Sequence, residues 1–179
     1  MDKKDKIIEV ATRLFAENGF EKTPISAICE EAETSKGLVF HHFKNKNELL
    51  REVFISITNL INEADKVDEN FAGSEGRMKA FIDSVFDAMT VPKYRSIYRF
   101  NFSVIVQPTT RAVLLDLIEE RFNGLQTSTE EVFHSLSYEN PTIAAKMFIA
   151  EIDGIAMNYL LYDDFPIEEV KREFIKKYS

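Results

Sequence analysis

Apolar positions recur along this chain with a helical period, and no stretch alternates convincingly as a strand. Ile7, Ile8, Ala11, Leu14 and Phe15 form one stripe over residues 2–18, and Asn18-Gly19 supplies the usual stop after a helix. Thr23 is read as the cap of a second helix that opens at Pro24 and turns Ile25, Ile28, Cys29 and Ala32 to one side. Glu33-Thr34 makes a turn. Ser35 caps a third helix that runs to about His42. Asn45 caps a fourth, with Glu48 three residues on as its reciprocal partner. From Lys46 to about Asn70 one apolar face persists through Leu49, Leu50, Val53, Phe54, Ile57, Leu60, Ile61 and Ala64, and Phe71-Ala72-Gly73-Ser74 interrupts it.

The remainder reads as five more helices. One begins at Ser74 and ends at Val91-Pro92, with Met78, Phe81, Ile82, Val85, Phe86 and Met89 on one face. The next, about residues 93–107, is apolar nearly all round and is expected to be central. Two long segments follow, 110–136 and 141–162. The second is apolar around most of its circumference, more than one protomer core can cover, so these two helices are expected to meet their symmetry mates in a four-helix homodimer interface. Gly154, Ala145, Ala150 and Ala156 permit close approach there. A last helix starts at Pro166, with Val170 and Phe174 packing inward and Lys171, Arg172, Lys176 and Lys177 facing water. The fold class is therefore all-α. An N-terminal three-helix helix-turn-helix DNA-binding domain (1–46) precedes a C-terminal helical ligand-binding and dimerisation domain (47–179).

The stretch Thr23–Leu50 carries the chemistry. A scaffold helix presents a second helix in the arrangement that inserts into a DNA major groove. That second helix holds Ser35, Lys36, Gly37, Phe40, His41 and His42 within eight residues: small side chains for close approach, donors for phosphate, and rings for packing. Free N–H groups and the dipole at helix starts attract phosphate, which assigns Thr23, Ser35 and Lys46 to the DNA backbone. Lys36 reaches a guanine edge or a phosphate, Gly37 and Leu38 lie against the groove, and Leu38 meets a thymine methyl. His41 is the remaining candidate for a base or phosphate, His42 and Lys44 hold the backbone, and Phe40 packs on sugar. Val39 and Phe43 are anchors to the core.

The run S-K-G-L-V-F-H-H-F-K-N-K-N-E-L-L, with T-P-I-S-A-I-C before it, resembles the DNA-binding signature of the tetracycline-repressor (TetR) family of bacterial transcription regulators, over about Ile7 to Val53. The resemblance implies a repressor of a palindromic operator that is released by a small-molecule effector. It puts Lys36, Gly37, Phe40, His42 and Lys46 near DNA, and a phosphate near the start of the first helix, where Lys3, Lys4 and Lys6 stand. Two positions depart from the family pattern. Glu33 replaces a usual glycine and is strained if the turn needs positive φ. Phe40 replaces a usual tyrosine and lacks its hydroxyl.

The net charge of −8 argues at first against a nucleic-acid partner. Its distribution changes that picture. Residues 1–50 hold eight Lys/Arg and nine Asp/Glu, and within 35–51 Lys36, Lys44, Lys46 and Arg51 face only Glu48. Positive charge is local to the proposed reading surface, and the acidic remainder orients it. The single cysteine, Cys29, falls on an apolar face and is read as core. No run of 18 apolar residues predicts a membrane span, and no signal-peptide core follows the N-terminus, so a cytoplasmic location is expected. No phosphate-cradling glycine loop, zinc motif or nucleophile-base set is present, so neither enzyme activity nor a cofactor or metal is expected. His41 and His42 diverge by about 100° on a helix and do not converge on a metal. His134 is read as a surface residue.

The aromatic side chains between Phe81 and Phe148 either line an effector cavity or fill an aromatic core, and the sequence leaves both open. Phe81, Phe86, Arg95, Arg99, Phe102, Phe148 and Asp153 are the candidate ligand residues, for a lipophilic molecule with a polar end. The rival reading is a helical ligand-binding or interaction protein whose DNA-binding motif is degenerate.

Overall fold

The computed structural model describes residues 2–64 and 74–178. Among them the backbone forms helices α1 (Lys3–Asn18), α2 (Ile25–Glu31), α3 (Lys36–His42), α4 (Lys46–Ala64), α5 (Ser74–Thr90), α6 (Pro92–Val106), α7 (Pro108–Ser135), α8 (Pro141–Leu161) and α9 (Ile167–Tyr178), and no strand. The expected run of α4 to Asn70 and the interruption at 71–73 lie outside the described residues. Asp2 caps α1 by accepting the Lys3 N–H. Gly19, at φ +83°, ends α1 with its N–H donated to the Phe15 carbonyl. Helices α6, α7 and α8 each open on a proline, which loses no hydrogen bond at a first helical position. For α7 that moves the start to Pro108, two residues before the expected Thr110.

The helices fall into two compact units, Met1–Ile61 with Ser96–Glu119, and Asn62–Arg95 with Glu120–Ser179. In the first, α1, α2 and α3 pack on one another. Ile7, Ala11, Leu14, Phe15, Ile28, Cys29, Ala32, Val39 and Phe43 are buried, as are Leu49, Leu50, Val53, Phe54 and Ile57 of α4. The expected inward stripes of α1, α2 and α4 to Ile57 are thus realised in their main positions, with Ile8, Ile25 and Leu60 half-buried; the burial of Ile61 and Ala64 lies outside what is described. Phe100 stacks on Phe15 at 6.4 Å between ring centroids, which brings α6 into the same core. Among its residues of described burial, helix α6 buries one face fully and a second, Tyr98, Phe102 and Ile105, in part. Ile97, Phe100, Asn101 and Val104 are inside, whereas Arg99 and Ser103 are exposed and Val106 is 74% exposed. The expectation of a helix covered all round is corrected: an apolar composition does not oblige every side to find a neighbour.

The second unit has an aromatic core. Met78, Ile82, Phe86, Val132, Phe133, Ala145, Phe148, Phe174 and Tyr178 cluster from α5, α7, α8 and α9. Phe148 meets Phe81, Phe133, Phe174 and Tyr178 at centroid distances of 5.5, 5.6, 5.2 and 5.0 Å. The outer side of α8 is another matter. Ile143 is 49% exposed, Met147 55%, Met157 45% and Leu161 68%, with Ala150 and Gly154 exposed between them.

The turn after α2 shows how a local sequence choice carries strain. Thr34 N–H donates to the Cys29 carbonyl (2.9 Å) and Glu33 N–H to that of Glu30 (3.2 Å), a complete Schellman motif. Its left-handed position is Glu33, at φ +51°, where glycine is the usual residue. The expected strain is present. A side chain there costs about 1 kcal/mol, and the 3.5 Å pair of Glu33 with Lys6 is too exposed to offset much of it. Glu33→Gly should therefore stabilise the protein by roughly 0.5–1 kcal/mol, a Tm higher by about 1–4 °C. An unchanged or lower Tm in a thermal melt would show that the turn is relaxed as it stands.

Candidate nucleic-acid interface

Helix α3 is held by two anchors and a cap. Val39 and Phe43 are each 1% exposed and root it in the core. The Ser35 hydroxyl accepts the Leu38 N–H at 3.1 Å and fixes where the helix begins. The opposite side is then left to solvent. Lys36, Gly37, Phe40 and His41 are exposed, at offsets 0, 1, 4 and 5, which is one helical face; Leu38 and His42 flank it half-buried, and Lys44, exposed, follows just past the helix end. Phe40 keeps 48% of its surface in solvent. The rings of His41 and His42 meet edge to face at 5.3 Å and do not converge, as a shared metal would require. Among the described residues no group of three or more His, Cys, Asp or Glu is placed to hold a metal ion.

Gly37 is informative because nothing inside the protein demands it. A Cβ added there would meet only the Ser35 Oγ, at 3.7 Å, an ordinary van der Waals contact. Its smallness serves whatever approaches from outside.

Two residues of the expected set are corrected. Thr23 is 2% exposed; its hydroxyl donates to the carbonyls of Leu14 and Gly19, and its N–H to that of Phe20. The N-cap of α2 is Pro24 instead. Thr23 therefore ties the α1–α2 connection together and offers no group to a phosphate. Lys46 is turned inward. Its ammonium donates to the Phe20 carbonyl at 2.5 Å, lies 3.4 Å from that of Glu21 and sits 4.3 Å from the centre of the Phe20 ring. Burial pushes its pKa down, with Glu21 acting the other way. It clasps the α1–α2 connection rather than standing free for DNA. The α4 cap is as expected at Asn45, which accepts the Glu48 N–H at 2.9 Å. The return bond from Glu48 goes to the Lys44 N–H at 2.6 Å, one residue before the cap. Near the start of α1, Lys4 pairs with Glu52 at 2.7 Å and Lys6 with Glu33, while Lys3 is exposed.

The candidate ligand residues divide between the units. Phe81, Phe86 and Phe148 belong to the second, and Phe86 and Phe148 are 1% and 2% exposed among packed rings. Arg95 of that unit donates to Asp163 at 3.2 Å, with its guanidinium 5.5 Å from the Tyr159 ring. Asp153 is half-buried on α8; burial holds its carboxyl above the usual range, with the charge of Arg121 opposing. Arg99, exposed, and Phe102, half-buried, belong to the first unit. Two further polar groups of α8 are satisfied nearby. Glu151 accepts from Lys177 and from the Tyr178 hydroxyl, and Asn158 donates to the Gly154 carbonyl. His134 is exposed and Cys29 is buried as a free thiol, both as expected.

Pairings that the sequence reading did not find also belong to the first unit. Arg51 of α4 reaches Asp116 and the Val113 carbonyl of α7, and the Thr109 hydroxyl donates to Glu21. No local signal announces partners 62 to 88 residues apart.

With this geometry in hand, the comparisons are specific. The description "Bacterial regulatory proteins, tetR family" matches residues 7–53, the stretch that forms α1 to α3 and the start of α4. The chain is 27% identical over 139 residues to the HTH-type transcriptional regulator QacR of Staphylococcus aureus, which covers 78% of this chain and 71% of that protein. It is 39% identical over 75 residues to the HTH-type transcriptional regulator YerO of Bacillus subtilis, a match that spans 25% of that protein. A transcriptional regulator of Rhodococcus superposes with a TM-score of 0.83 at 16% identity, over 96% of this chain and 91% of that one. The fatty acid degradation regulator FadR of Bacillus halodurans gives 0.79 at 16% identity, over 98% and 94%. The capped helix α3, the signature around it and the all-helical fold agree: residues 7–53 match the tetR family of bacterial regulatory proteins, and the chain as a whole shares its fold with transcriptional regulators.

Proposed function

We propose that this regulator is a homodimeric repressor that holds a palindromic operator with α3 and lets go when a small lipophilic molecule binds in its C-terminal region. Residues 1–46 read DNA, 47–179 serve effector binding and dimerisation, and the protein acts in the cytoplasm. The observation that carries this reading is the outer face of α3. It joins an exposed ring, two exposed lysines and a glycine that the protein's own packing does not need. Ser35, Lys36, Gly37, Leu38, Phe40, His41, His42 and Lys44 form the DNA-contacting set, with phosphate contacts positioning the helix and groove contacts selecting sequence. The exposed apolar stripe of α8 supports the homodimer, since a matching copy covers it. The effector reading is supported by Asp153, a half-buried carboxyl on α8, the helix that also contributes Phe148 to the aromatic core.

Gly37→Ala separates this function from stability. Alanine is the better helix former by about 1 kcal/mol, so Tm should hold or rise. The added methyl group stands in the way of close approach, so operator affinity should fall by roughly fivefold or more, the size of one disturbed base contact. The operator is obtained by selection from random duplexes, and wild-type affinity for it should drop steeply with salt as phosphate counterions are released. A wild type that selects no sequence would instead be a helical ligand-binding or interaction protein.

A further inference from the structure

Helix α3 is Lys36-Gly37-Leu38-Val39-Phe40-His41-His42, and none of its side chains is a carboxylate, a carboxamide or a hydroxyl. The acceptors on either side of it are already engaged. The Ser35 hydroxyl accepts the Leu38 N–H at 3.1 Å, the Asn45 side-chain oxygen accepts the Glu48 N–H at 2.9 Å, and the Glu48 carboxylate accepts the Lys44 N–H at 2.6 Å. What the exposed arc of α3 offers outward is an ammonium (Lys36), a ring with 48% of its surface in solvent (Phe40) and an imidazole (His41), around a glycine that lets the backbone come close. That is a set of N–H donors and apolar surface.

The major-groove edges of the four bases answer to such a set unequally. Guanine presents two acceptors, O6 and N7, and thymine presents the O4 acceptor and a methyl group. Adenine and cytosine present amino groups, which call for the acceptors of Asn, Gln, Asp or Glu. Of the two exposed donors, His41 is the one held in place. Its ring meets that of His42 edge to face at 5.3 Å, and His42 in turn lies 6.0 Å from the ring of Phe43, which is buried. Lys36 carries a point charge on a flexible stem, which suits a phosphate at any angle. Phe40 and His41 follow Gly37 by three and four residues, so they are its neighbours one turn on, where the backbone can come closest to the groove.

We infer that α3 selects its site by the keto bases of one DNA strand: His41 donates to the O6–N7 edge of a guanine, and Phe40, instead of resting on sugar, covers the methyl group of a nearby thymine. Adenine and cytosine enter only as their complements. This rests on the DNA-binding reading above and adds the chemistry that the reading surface selects.

The test takes the duplex that the full-length wild type selects from random sequence and alters single bases in it. Deoxyuridine in place of thymidine removes only the methyl group. At the guanine, 7-deazaguanine removes N7, and exchange of that G·C pair for A·T trades O6 for an amino group. The uracil should weaken wild-type binding by about three- to fourfold, the value of one buried carbon. Each change at the guanine should weaken it by about fivefold or more, the range of one lost base contact. Phe40→Ala should be indifferent to the uracil and His41→Ala to both guanine changes, while each stays sensitive to the other's base. Because the altered duplexes are read first on the wild type, the outcome does not depend on either variant folding. Wild-type binding that ignores either deoxyuridine at every thymine or 7-deazaguanine at every guanine of the selected site overturns the inference and leaves the DNA-binding reading intact. A guanine penalty that survives His41→Ala, or a methyl penalty that survives Phe40→Ala, also overturns it, because another side chain then reads that base. A wild type that selects no sequence removes both.

Discussion

Met147→Glu is expected to turn the proposed dimer into monomers at micromolar concentration, seen as a sedimentation mass falling from two chains to one. The outer residues of α8 run Ile143, Met147, Ala150, Gly154, Met157 and Leu161, spaced by four, three, four, three and four, which is the seam of a two-helix packing. Ala150 and Gly154 stand at its middle, where backbones approach closely. Leu115 (45% exposed) and Phe122 (37%) give α7 a seven-residue repeat of its own. Met147 is 55% exposed in the protomer, so a carboxylate there costs a lone chain almost nothing. Across a twofold seam it is buried twice, and an unpaired buried charge costs several kcal/mol. Dimer association should weaken by on the order of 3 kcal/mol or more, and palindrome affinity should sink toward that of a half-site. Met147→Leu is the control and should remain dimeric. A Met147→Glu protein that keeps its dimer mass and an unaltered melt would show that the copies meet elsewhere.

The second large effect is expected in the aromatic core. Phe148→Ala removes a ring that is 2% exposed and touched by four others. Truncating a fully packed phenylalanine costs about 3–5 kcal/mol, part from lost transfer free energy and part from the cavity left behind. Urea unfolding should show the midpoint falling by that equivalent with the slope unchanged. The size of the loss also decides between two meanings of this phenylalanine-rich segment. A cost near 4 kcal/mol marks a filled core and moves any effector site away from Phe148, toward Asp153. A cost below about 1 kcal/mol marks rings around spare room, the property of a ligand cavity.

Much of the reading helix was legible before any fold was known. Ser35 caps α3 because a hydroxyl and an N–H three residues on are neighbours in any helix that starts there. Val39 points inward because it falls outside the arc shared by Gly37, Phe40 and His41, and Phe43 because the chain turns extended there, just past the helix. The strain at Glu33 was foreseeable for the same reason: the turn between two short helices requires a left-handed residue, whatever surrounds it. The unfinished outer face of α8 followed from its composition, since more apolar surface was present than one protomer could enclose.

Other choices lay with the tertiary structure. Thr23 has a hydroxyl that suits a cap, and it went to the carbonyls of Leu14 and Gly19 because the α1–α2 connection folds back within reach. Lys46 has a charged end that suits a phosphate, and it settled on two carbonyls and the Phe20 ring. Arg51 found Asp116 across 65 residues of chain. The physical reason is one of range. Caps, stops and stripes depend on residues within a turn or two of each other, so a linear reading captures them. The destination of a long polar side chain depends on which distant helix packing brings alongside, and periodicity carries no record of that.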